Sequence, residues 1–320
     1  MKKTIFPMMA LIVALISVPV ASPAANRGPQ PATDLQTYLP DGIGVASIDV
    51  TQLTGSALWL SLTTSSKPIH AIQSLQNGMA DIGLKLTDVT QVALCVPFPS
   101  TSNFVAALSG SINQADLLAR LRANSRVKLS SEGYKNFQIY TAVVTRQNST
   151  RTQTIAFAFP TSGVVVIGTS RSVQSAIDAT KGDKPSLAQD SKMQAGLAQA
   201  SPGAIRFAVA LTPAITGQLQ SSSIPLPDFS TVSLAFGTLG VGAGVDLSIT
   251  LRNDTAANAN AMAAQLNSLL SMAKGILGAS STPKNQNILE AVKTVSITAS
   301  GTDVKVSGSL NQDVLSKVIH

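Results

Sequence analysis

The sequence predicts an α+β protein: two degenerate repeats of largely antiparallel sheet with helices packed on one face. Three observations predict it. Val245, Leu247, Ile249 and Leu251 alternate with Asp246, Ser248, Thr250 and Arg252, and Val304, Val306 and Leu310 alternate with Asp303, Lys305, Ser307 and Ser309. That is the period of a strand with one face on a core. Met262, Leu266, Leu269, Leu270, Ala273 and Leu277 instead recur at helical spacing. Finally, the order of strands and helices starts again near Ile205.

Taken in order, Tyr38-Leu39-Pro40-Asp41-Gly42 reads as a turn into the first strand. Strands are expected at Val45–Asp49, Val89–Val96, Phe104–Ile112, Phe137–Val144, Ile155–Phe159 and Val164–Gly168. Helices are expected at Ile69–Ile82, Gln114–Ala123, Ser172–Thr180 and Ala188–Ala198. The second half offers strands at Ile205–Leu211, Thr231–Leu239, Val245–Leu251, Val292–Ala299 and Val304–Leu310. Its helices would be Thr212–Leu219, Thr255 to about Leu277, and Gln312–Ile319. The halves would then be 40–200 and 201–320, after a signal peptide at 1–24 and a flexible lead at 25–39. One continuous core serving both halves fits this pattern as well as two domains.

A hexapeptide marks a joint in each half: Ser109-Gly110-Ser111-Ile112-Asn113-Gln114 and Ser307-Gly308-Ser309-Leu310-Asn311-Gln312. Each copy ends an alternating strand and opens a helical pattern, which places Asn113 and Asn311 at N-caps. Asp116 and Asp313 would sit in the first turns and Arg120, Arg122 and Lys317 near the far ends, as the helix dipole favours. Gly168-Thr169-Ser170 and Arg252-Asn253-Asp254 are similar joints without the hexapeptide. A structural joint therefore accounts for the repeat; an anion held at the helix N-terminus is the functional alternative.

The first residues read as an export signal. Lys2 and Lys3 precede an apolar run from Ile5 to Val20, and Ala21-Ser22-Pro23-Ala24-Ala25 offers small residues for cleavage after Ala24. Pro7, Pro19 and the short run argue against a retained anchor. No other stretch is apolar enough to span a bilayer, so no transmembrane segment is expected after cleavage. The protein is thus expected in the periplasm or outside the cell. Cys95 is the single cysteine, which excludes an intramolecular disulfide, and its apolar setting in Val92–Val96 predicts a buried, unreactive thiol.

Aromatic content is 4%, too little for a surface that stacks bases, and nucleic acid is not expected as a partner. The net charge is +7, and its distribution is uneven. Arg120, Arg122, Arg126, Lys128, Lys135, Arg146 and Arg151 fall in one window whose only acid is Glu132. These seven residues are the candidate anion-binding patch, for an anionic envelope component or a protein partner. A solvated basic face is the plain alternative.

Catalytic constellations are scarce. His70 and His320 are the only histidines, which disfavours a Ser-His-Asp triad or a histidine-rich metal site. The Gly-x-Ser-x-Gly, phosphate-loop and His-Glu-x-x-His patterns do not occur. Ser-x-x-Lys occurs at Ser125–Lys128 and Ser271–Lys274 without the Lys-Thr-Gly that accompanies it in penicillin-recognising enzymes. Gly237–Gly244 misses the dinucleotide spacing and suits a hairpin turn. Asn148-Ser149-Thr150 matches a glycosylation triplet. No catalytic residue, metal ligand or cofactor is expected.

Tyr38-Leu39-Pro40, Val45–Val50 and Leu53 resemble the opening of a family of exported bacterial proteins of acidobacterial type. Val164–Gly168 with Val173, Ala176, Ile177 and Asp178 is similar to that family's middle segment. Phe236–Leu239 and the helix after Asp254 are similar to its second half. The resemblance implies export and architecture, and no activity comes with it. The function expected is a non-enzymatic envelope protein that binds or scaffolds an extracytoplasmic partner. The alternative is an envelope hydrolase whose site is assembled only in three dimensions.

Overall fold

The computed structural model describes residues 34–57, 59–60, 79–80, 83–97, 104–145, 152–220, 227–242, 244–280 and 282–311. The signal peptide, most of the helix expected at Ile69–Ile82, Arg146, Arg151, the Asn148 triplet and the closing helix from Gln312 lie outside them. The fold is α+β with extensive antiparallel sheet. Two compact units divide the chain: one holds the described residues of Ala25–Thr51 and Ser65–Gln194, the other those of Gln52–Thr64 and Ala195–His320.

At the end of the lead, Leu35–Tyr38 form a 3-10 turn whose cap, Asp34, accepts from the Gln36 N–H. Leu39 is completely buried. The N–H of Leu187 donates to the Leu39 carbonyl at 2.9 Å, and the N–H of Asp41 donates to that of Pro185 at 3.2 Å. Main-chain pairing thus fixes the segment.

The strands of this unit are β1 (Gly42–Asp49), β2 (Val89–Pro97), β3 (Val105–Gly110), β4 (Val127–Tyr134), β5 (Phe137–Thr145), β6 (Thr152–Thr161) and β7 (Val164–Gly168). Their order is β1-β2-β3-β7-β6-β5-β4, every neighbour antiparallel. The described helices are α1 (Val50–Thr54), α2 (Gln114–Ala123), α3 (Ser170–Lys181) and α4 (Ser191–Gln199), the first and last running on into the second unit.

Helices on a single face is not what this unit shows. Val164 to Gly168 are all buried, as are Val105 to Ser109, so both faces of the central strands are covered. Ala106, Leu108, Phe157, Val165 and Ile167 pack in one cluster with Leu117, Leu118 and Leu121 of α2. Val105, Ala107, Val164 and Val166 are equally buried but outside that cluster. Since successive strand residues point to opposite faces, they form the other side. There α3 lies against β3, β5, β6 and β7 with Val173, Ala176 and Ile177 buried. Continuous apolar runs such as Val164–Ile167 are what two-sided burial produces.

The β4 strand was absent from the sequence expectations. Val-Lys-Leu-Ser-Ser-Glu-Gly-Tyr carries only two apolar residues in alternation, because an edge strand shares little of the core. Its pairing is set by the turn instead. Lys135 and Asn136 both adopt positive φ, 46° and 66°, the conformation of a two-residue hairpin that matches strand twist.

The second unit contains β8 (Ile205–Ala210), α5 (Pro213–Gln220), β9 (Val232–Val241), β10 (Gly244–Asn253), α6 (Ala256–Gly278), α7 (Pro283–Lys293), β11 (Ser296–Ser300) and β12 (Asp303–Asn311). The described order is β11-β12-β10-β9-β8. Leu251, Val304 and Val232 pack against Ala259, Met262 and Ala263 of α6, with Leu266 half-buried beside them; of the expected stripe only Met262 and Leu266 enter this cluster. Helix α7 takes residues from the strand expected at Val292–Ala299. Thr282 caps it and Pro283 starts it, a local signal for a helix start, and β11 begins only at Ser296.

The hexapeptides separate here. In the first copy β3 stops at Gly110, and the Asn113 side chain accepts from the Asp116 N–H at 3.1 Å, capping α2. In the second copy β12 runs through Asn311, which pairs with Gly244 of β10. A Cβ at Gly110 would lie 2.1 Å from the Asp88 carbonyl oxygen, whereas one at Gly308 would meet nothing closer than 3.5 Å. The same letters thus occupy different places relative to the strand end.

Candidate functional site

Five cations of the basic window lie among the described residues, and two of them are paired with acids. Arg120, exposed on α2 beside its apolar face, donates to the Gly83 carbonyl at 3.1 Å and pairs with Asp88 at 3.4 Å. It ties the helix to the 3-10 turn Leu86–Asp88.

Lys135 is also spoken for. From the hairpin turn its Nζ reaches Asp178 Oδ1 of α3 at 2.6 Å and Asp183 Oδ2 at 2.9 Å. Lys184 Nζ lies 2.7 Å from the other oxygen of Asp178, and the Tyr134 hydroxyl donates to Oδ1 at 2.9 Å. The Asp178 side chain is 6% exposed. Burial alone would raise its pKa, but the bonds from Lys135, Lys184 and Tyr134 outweigh it and hold the carboxyl at about 2. Lys135 is pushed above the usual lysine range by its bonds to Asp178 and Asp183. This cluster is a clasp between hairpin and helix.

Three predicted cations are left. Arg122 in the last turn of α2, Arg126 in the turn after it and Lys128 at the start of β4 are exposed, and none has an acidic partner among the described residues. Arg146 and Arg151 lie outside the described residues. Of the five predicted cations among the described residues, tertiary pairing consumes Arg120 and Lys135, which leaves Arg122, Arg126 and Lys128 as the candidate site.

A groove of about 600 Å³ lies beside the first hexapeptide, lined by Gly110–Gln114 and by Phe159, Thr161, Ser162 and Gly163 of the β6–β7 hairpin. Nothing in its lining is ionisable. Its lining carries the hydroxyls of Ser111, Thr161 and Ser162 but no acid or base beside them to activate one. Sequence reasoning missed it because Phe159 and Gly163 reach Gly110 only through sheet pairing. The Gly110 N–H donates to the Gly163 carbonyl at 3.1 Å.

Other reactive groups are engaged in structure. Cys95 is completely buried, its Sγ 3.3 Å from the Pro40 carbonyl. Burial, with help from Asp41 and Asp190, pushes its pKa up to about 12, so the thiol stays protonated and poorly nucleophilic. Arg252 forks onto Asp303 at 2.9 and 2.8 Å and lies 5.2 Å from the Phe236 ring centroid. Ser271 is exposed in the middle of α6. No group of three or more potential metal ligands occurs among the described residues, and no described helix is long and apolar enough to cross a membrane.

No family model matches the sequence, and no curated protein is similar to it. Two solved structures, crystal forms I and IV of TP0453, resemble it distantly. They are 11% and 10% identical to this chain, cover 90% and 89% of it and 96% of their own chains, and give TM-scores of 0.42 and 0.46.

Proposed function

We propose that the protein is an exported, non-catalytic binding protein of the cell envelope that engages an anionic partner through Arg122, Arg126 and Lys128. One observation carries the reading: these exposed cations fall within residues 122–128 at the α2–β4 joint, and none pairs with an acid among the described residues. Unpaired surface cations cost little to keep in water and attract anions over about 10 Å at moderate salt. The test is retention of the purified protein on an anionic matrix across a salt gradient. Arg122→Glu with Arg126→Glu should elute at markedly lower salt than the wild type. Equal elution of the two proteins would dismiss the patch.

Export and internal duplication belong to the same reading. The charged start, apolar run and small residues up to Ala25 support secretion. Fractionation of cells carrying a C-terminally tagged chain should recover a shortened form outside the cytoplasm; an uncleaved cytoplasmic form would reject it. Two degenerate copies of one sheet-plus-helix plan are supported by the antiparallel sheet in each unit. A strand leading to a side-chain-capped helix also occurs in each, at Asn113 and at Thr255.

A further inference from the structure

The outer edge of β4 is where the first unit's sheet ends. The strand pairs with β5 along its whole length without a bulge. One step beyond, the Thr145 N–H donates to the Arg126 carbonyl at 3.0 Å. Because bonded residues alternate along an antiparallel ladder, Lys128, Ser130, Glu132 and Tyr134 also direct their main-chain groups toward β5. Leu129, Ser131 and Gly133 direct theirs to the open edge, where no described residue meets them.

Exposed edges are commonly shortened, bulged, interrupted by proline or charged; of these devices β4 has only its charges, Lys128 and Glu132. Gly133 adds a second sign. A Cβ there would find only Gln138 Nε2 within 4 Å, at 3.9 Å, and its φ is not positive. The chain's own fold therefore makes no demand for glycine at that place. A strand glycine of this kind suits the close approach of another backbone.

We propose that β4 pairs antiparallel with β4 of a second copy of this chain, about a two-fold axis at Ser130. The charges select both occupant and register. Lys128 and Glu132 are exposed and lie on one face of the strand. A two-fold at Ser130 sets Lys128 of each copy opposite Glu132 of the other, twice over. These are non-hydrogen-bonded positions, where opposed side chains are closest and opposite charges favour pairing. On the other face Leu129 meets Ser131 and Val127 meets Gly133, an apolar group against a small one each time. A two-fold at Leu129 would instead oppose Glu132 to Arg126, which lies in the turn before the strand.

Sedimentation velocity of the mature protein over a concentration series tests this. The wild type should form a reversible dimer. Lys128→Glu and Glu132→Lys should each weaken it about tenfold or more, and the double exchange should restore it. Ser131→Pro should abolish the dimer while leaving the melting transition in place, since the Ser131 N–H serves no bond among the described residues. Glu132→Lys keeps all three cations of the anion patch, so loss of the dimer with anion binding intact separates this proposal from the function above. A monomer at every concentration would overturn the pairing. So would a dimer indifferent to Ser131→Pro, or one the double exchange fails to rescue.

Discussion

Lys135 Nζ sits 2.6 Å from Asp178 Oδ1, joining the tip of the β4–β5 hairpin to helix α3. The lysine is held there by a turn that needs positive φ at Lys135 and Asn136, and the acid by a helix whose other side is core. Lys184 and Tyr134 complete the carboxylate's partners. Removing the charge without changing the shape is the clean test. Asp178→Asn should lower stability by about 2 kcal/mol, the scale of hydrogen bonds to charged groups, measured by urea unfolding. A change under about 0.5 kcal/mol would mean the clasp is ornamental.

The same carboxyl makes stability depend on pH. Its folded pKa, about 2, lies below the ordinary 3.8, so its stabilisation is fully present above the ordinary value and is lost as pH falls through the folded one. Between pH 4 and about 2 the wild type should lose stability faster than Asp178→Asn. Parallel curves for the two proteins would show that other acids dominate this range.

Gly110 and Gly308, matched in sequence, should respond differently to a methyl group. Gly110→Ala drives a Cβ against the Asp88 carbonyl, whereas Gly308→Ala meets only ordinary contacts. The first should cost more than about 2 kcal/mol; the second should stay within about 0.5 kcal/mol. Similar costs in thermal unfolding would restore the equivalence of the two copies.

Asn113→Ala should cost about 1 kcal/mol through loss of the α2 cap. Asn113→Asp should restore most of that, because aspartate caps comparably and suits the helix dipole. If the Asp variant is as unstable as the Ala variant, the bond to the Asp116 N–H is not what the position supplies.

Cys95 should be silent to thiol reagents at pH 8 in the native protein and react stoichiometrically in urea. Burial keeps it both inaccessible and protonated. Rapid labelling without denaturant would contradict the packing of β1, β2 and the Pro40 turn.

How much was legible follows from the physics of each element. The strand Val164–Gly168 was readable as a continuous apolar run because both of its faces are covered, and Met262 and Leu266 of α6 were readable because one packed face imposes helical spacing. The β4 strand was not, since its place comes from a turn and from β5 rather than from its own apolar pattern. Helix α7 carried a readable start in Thr282-Pro283, but Val292 and Val295 suggested strand more strongly than they should. In the basic window, charge could be counted along the chain but pairing could not. Asp88 lies 32 residues before Arg120, and Asp178 lies 43 after Lys135, so only folding shows which cations are spent.

By itself, then, the sequence determined the α+β class, most strand and helix positions and the concentration of positive charge near α2. These depend on local periodicity, and local periodicity is written in neighbouring residues. The tertiary structure decided that the first unit's sheet is covered on both faces and that the two hexapeptides are not equivalent. It also separated the paired Arg120 and Lys135 from Arg122, Arg126 and Lys128 among the five described cations. Each of those outcomes depends on which distant groups meet, and contact between distant groups leaves no period in a single chain to read.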